Sequence, residues 1–141
     1  MNTIVVGTDG SSGAEAAVER IADLMRGRQA TVHVVCAVPA RSALERIGVS
    51  ARQDPVDLRG VAADVLARAE RRLVEAGLTV DKQVREGDPA HVILDVAEDQ
   101  HADLIVVGAR GNTGLRRFML GNVAGKLSHH AATSLLIVRQ D

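Results

Sequence analysis

The chain has 141 residues, the usual size of one domain, and its 17 Lys and Arg against 18 Asp and Glu leave a formal net charge of -1, which argues against nucleic acid or an anionic membrane as a partner. Aromatics make up 1 %, with Phe118 alone, so stacking platforms for bases or flavins are nearly absent and the core must be Val, Leu, Ile and Ala. The single Cys36 excludes an intramolecular disulfide and the paired thiolates of a structural zinc site.

The opening MNTIVVGTDG lacks a basic region followed by a long apolar stretch, and no apolar run approaches the roughly 20 residues of a spanning helix. The expectation is one domain, 1–141, in a reducing cytoplasm. Thr3 to Thr8 reads as a strand covered on both faces. Ser12 and Glu15 have capping-box spacing, and Ala14, Ala17, Val18, Ile21 and Met25 continue at helical intervals, which predicts a helix from about Gly13 to Met25. Thr31 to Val38 is a second buried strand, followed from Pro39 to Pro55 by a long surface loop. Leu58, Val61, Ala62, Val65, Leu66, Ala69 and Leu73 form the stripe of a helix ended by Gly77. Thr79 to Val84 is a third strand, and Asp88-Pro89 caps a helix carrying Ile93, Leu94 and Ala97. Leu104 to Gly108 and Ser134 to Arg139 are the last strands, separated by a glycine-containing loop and a helix near Val123 to Ala131. Strands alternating with helices predict an α/β fold with a parallel sheet covered on both faces.

Ligands of such sheets bind beyond the carboxyl ends of the strands, so the residues after each strand are the candidates. Gly7, Thr8, Asp9, Gly10, Ser11, Ser12 and Gly13 have G-x-x-G-x-x-G spacing, and a carboxylate at Asp9 would repel a docked pyrophosphate, which argues against a dinucleotide. These residues can equally form only a turn and a cap. After the fourth strand, Gly108-Ala109-Arg110-Gly111 and, after nine intervening residues, Gly121-Asn122-Val123 allow close backbone approach to a ribose and offer helix N–H groups to phosphate.

The segment from Gly121 to Leu127 is not a Walker loop, because Gly121 and Gly125 are one residue too close and Leu127 stands where magnesium needs a hydroxyl. Arg116, Arg117 and Lys126 either neutralise phosphates or form a solvated face. His129 and His130, adjacent on a helix, point about 100° apart and do not make a metal pair.

Ile4 to Ser11, Asp103 to Gly108 and Gly121 to Arg139 carry a resemblance to the universal stress protein family over essentially the whole chain. The nucleotide-binding branch has G-x2-G-x9-G followed by Ser or Thr; Gly108, Gly111 and Gly121 match, whereas Asn122 replaces the hydroxyl residue. The resemblance implies a five-stranded parallel sheet of the adenine nucleotide alpha hydrolase type. It also implies an adenine nucleotide ligand, ATP with Mg2+ as an accompanying ion, and a homodimer through the last strand. Carried over by position, adenosine would lie near Gly7, Thr8, Asp9 and Ala37, and phosphates near Val107, Gly108, Ala109, Arg110, Gly111, Gly121, Asn122, Val123 and Ala124.

No residue presents itself as a partnered general base, so a nucleotide-binding regulator is favoured over a weak ATPase. A dimeric scaffold without nucleotide is the alternative that Asn122 keeps open. A receiver domain is disfavoured because Asp9 lacks an adjacent acid and Arg139, not Lys, follows Val138.

Overall fold

In chain order the elements are β1 (Thr3–Gly7), α1 (Ser12–Leu24), β2 (Thr31–Val38), α2 (Leu58–Glu75), β3 (Thr79–Glu86), α3 (Pro89–Asp99), β4 (Leu104–Gly108), α4 (Asn122–His130) and β5 (Ser134–Val138). They come from a computed structural model that describes residues 2–40, 42, 46, 48, 57–110 and 120–140. Most of the loop expected from Pro39 to Pro55 lies outside the described residues, as do Gly111, Arg116 and Arg117.

The strands form one parallel sheet in the order β3-β2-β1-β4-β5. Because side chains alternate across a strand, Ile4 and Val6 enter the core under α1 and α2, while Val5 enters the core under α3 and α4. Both faces of β1 are therefore covered, which is why that strand reads as an unbroken apolar run. At the β3 edge, by contrast, Asp81, Lys82 and Glu86 are exposed.

Two sequence expectations need correction. The N-cap of α1 is Ser11, not Ser12: its Oγ accepts the Ala14 N–H at 3.3 Å. Asp9 Oδ1 accepts the Ser11 N–H at 2.9 Å and Gly10 turns at φ +78°, so the turn closes one residue earlier than the S-x-x-E spacing suggests. In α2, Val61 is 53 % exposed and faces solvent, while Ala62, Val65, Leu66, Ala69 and Leu73 are buried. Elsewhere the local chemistry is as read. Gly77, at φ +89°, ends α2 with Gly77 N–H donating to Val74 O at 2.9 Å and Leu78 N–H to Leu73 O at 3.1 Å, a Schellman pair. Asp88 Oδ2 caps α3 by accepting the His91 N–H at 3.1 Å.

Candidate functional site

The chain steps from β1 to β2 on one side and later places β4 on the other side of β1. The carboxyl ends of β1 and β4 therefore splay into the crevice where open α/β sheets take ligands. A cavity of about 260 Å³ with mostly apolar walls lies there.

On the β1 side, Thr8 N–H continues the ladder to Val35 O at 2.9 Å, and Thr8 Oγ1 accepts the Gly10 N–H at 3.2 Å. Asp9 is exposed at the tip of this turn; Oδ1 holds the Ser11 N–H, and Oδ2 accepts no bond among the described residues. One carboxylate oxygen thus shapes the turn while the other is available to a donor in the cavity. Behind it, burial first and the Asp9 charge second push the Cys36 thiol up, which keeps it protonated and unreactive.

On the β4 side, a Cβ on Gly108 would lie 2.6 Å from both the C and O atoms of Gly13, and one on Gly13 would run into the Arg110 carbonyl. The missing side chains let the N-terminus of α1 press against the end of β4. Ala109 N–H donates to Val138 O at 2.8 Å, and its carbonyl accepts the Gly121 N–H at 2.6 Å, which draws the start of α4 to the end of β4. Gly121 is the N-cap of α4 and offers no side-chain cap, and Asn122 is the first helical residue. The N–H groups of Asn122, Val123 and Ala124 belong to the first turn, where no intrahelical acceptor exists.

Around this cavity the structure places Gly7, Thr8, Asp9, Ala37, Val107, Gly108, Ala109, Arg110, Gly121, Asn122, Val123 and Ala124; Gly111 is outside the described residues. Ser11, Ala14, Val35, Pro89 and Ile93 line it too and were missed. Pro89 had a signal, since it follows β3, but its approach to the β1/β4 crevice depends on how α3 packs. Lys126 is absent from the lining: its Nζ donates to Asp88 Oδ1 at 3.1 Å. Among the described residues, no group of three His, Cys, Asp or Glu side chains could hold a metal, and no helix is long and apolar enough to cross a membrane.

The model of the universal stress protein family matches residues 1–139. The chain belongs to the universal stress protein family. Universal stress protein YxiE of Bacillus subtilis is 31 % identical over 98 % of this chain and 99 % of its own. Among solved structures, hypothetical protein MJ0577 superposes with a TM-score of 0.86 at 23 % identity over 99 % of this chain and 96 % of that one, a likeness of fold. A universal stress protein in complex with cAMP superposes with a TM-score of 0.73 at 26 % identity over 99 % of this chain and 98 % of that one. In this universal stress protein, the five-stranded parallel sheet is the frame shared with those structures, and the cavity lies at its switch point.

Proposed function

We propose that this universal stress protein binds an adenine nucleotide, ATP foremost, in the β1/β4 cavity and acts as a nucleotide-responsive regulator. The observation that carries this reading is the polarity of one cavity: the spare oxygen of Asp9 lies at the β1 end and the uncapped first turn of α4 lies along another wall. Adenine suits the apolar walls of Val35, Ala37, Ile93 and Val107. Ribose hydroxyls donate to Asp9, whose charge also repels phosphates toward the far end, and the N–H groups of Asn122, Val123 and Ala124 receive them. The relative solved with cAMP supports a nucleotide of this class. Among the described lining residues Asp9 is the one carboxylate, so Mg2+ would arrive on the ATP phosphates rather than sit in a protein cage.

The proposal extends to a cytoplasmic homodimer paired through β5. Mass spectrometry of small molecules released by denaturing freshly purified protein should find an adenine nucleotide near one per chain. Its absence, together with no binding of added ATP, would refute the reading. Incubation with labelled ATP and Mg2+ should leave the nucleotide essentially intact, since no partnered general base lines the described cavity.

A further inference from the structure

Asp88 is bound twice. Its Oδ2 caps α3 through the His91 N–H at 3.1 Å, and its Oδ1 accepts Lys126 Nζ of α4 at 3.1 Å. Lys126 is one turn into α4, and neither it nor Asp88 lines the cavity, but their neighbours do: Pro89 directly follows Asp88, and Asn122, Val123 and Ala124 are the turn before Lys126. A lysine leans back toward the N-terminus of its own helix, so the bridge lies across the gap between the starting turns of α3 and α4. Burial alone would push the Asp88 carboxyl up, but the His91 N–H and the Lys126 ammonium outweigh it and hold it below its usual range.

We propose that Lys126 is a positioning residue that ties the first turn of α4 to the cap of α3 and so fixes the N–H groups offered to phosphate. This rests on the nucleotide reading above. The side chain with the obvious charge for a phosphate thus acts through Asp88 and the helix start, without touching the ligand. Both partners are nearly half exposed, at 46 % and 44 %, so the expected effect is modest.

Calorimetry with AMP and with adenosine on the wild type, Lys126→Gln, Asp88→Asn, the double variant and Lys126→Arg tests this. Asn remains a good cap, so Asp88→Asn removes the charge while keeping the start of α3. Each single variant should weaken AMP about threefold to fivefold, the scale of an exposed ion pair. The double variant should be no worse than either single one, Lys126→Arg should restore AMP affinity, and adenosine should be unaffected. Tighter AMP binding by Asp88→Asn would overturn the proposal, because it would mean that freed Lys126 reaches the phosphate itself. Additive losses, or equal losses for adenosine, would also overturn it. A wild type that binds neither ligand, or binds AMP no better than adenosine, would refute the underlying reading of the site and this proposal with it.

Discussion

Gly108 at the end of β4 and Gly125 inside α4 should respond to the same substitution with opposite signs. The Cβ of Gly108→Ala would meet backbone atoms of Gly13 at 2.6 Å and Ala14 N at 3.1 Å, atoms that can yield only if α1 moves off the end of β4. That overpacking should cost about 1–3 kcal/mol and widen the cavity floor. Nothing lies within 4 Å of a Cβ on Gly125, inside α4, so Gly125→Ala should stabilise by roughly 0.5–1 kcal/mol. Urea unfolding of the two variants checks both signs. Asn122 lines the cavity as the first helical residue, and its side-chain amide is bulkier than a hydroxymethyl, which would leave more room for a phosphate beside the helix N–H groups. Asn122→Ser should therefore tighten ATP binding by up to about tenfold, roughly 1.4 kcal/mol, in titrations at matched Mg2+; equal or weaker binding would show Asn122 already serving as a phosphate ligand. At this scale the sequence was informative about Asp9 and the glycines, because a carboxylate at a strand end and a spaced glycine set are local signals. The partner of Lys126 was not legible, since Asp88 lies 38 residues away and only the packing of α3 on α4 joins them.

The elements repeat the lesson in a different form. Strand cores and helix stripes follow from periodicity, so β2 and β4 have the limits that Thr31 to Val38 and Leu104 to Gly108 suggest. What the pattern misses is decided by single bonds, as where the Asx turn at Asp9 moves the cap of α1 to Ser11. Another such bond set holds the start of β1. Asp103 Oδ2 accepts the N–H groups of Asn2 at 3.0 Å and Thr3 at 3.1 Å, and these bonds, Asn2 first, pull the Asp103 carboxyl below its usual 3.8. A carboxyl depressed by folding adds stability that is fully present above the unfolded value and is lost as pH falls through the folded one. Asp103→Asn keeps an acceptor but removes the charge. The stability gap between wild type and Asp103→Asn should be open at pH 7 and close as the pH drops below 3.8; a gap unchanged at pH 2 to 3 by urea unfolding would contradict this.

For the whole molecule, the two sheet edges are unequal. The β3 edge carries exposed Asp81, Lys82 and Glu86, charges that discourage pairing, whereas β5 carries Leu135, Leu136 and Ile137, all only partly buried. A second copy of the chain is the cover this apolar edge favours, and light scattering at micromolar concentration should give twice the 14.9 kDa of one chain. A monomer at that concentration would contradict the pairing. The parallel sheet and its two helical layers were legible from the alternation of elements, while the cavity walls contributed by Val35, Pro89 and Ile93 needed the assembled layers. In the proposed complex, the cavity joins an adenosine end at Asp9 to a phosphate end at α4. Calorimetric titration of ATP into wild type and Asp9→Ala tests this most directly: saturable binding near one per chain that weakens at least tenfold in the folded variant is the predicted result, and unchanged affinity in folded Asp9→Ala, or no binding by the wild type, would contradict it.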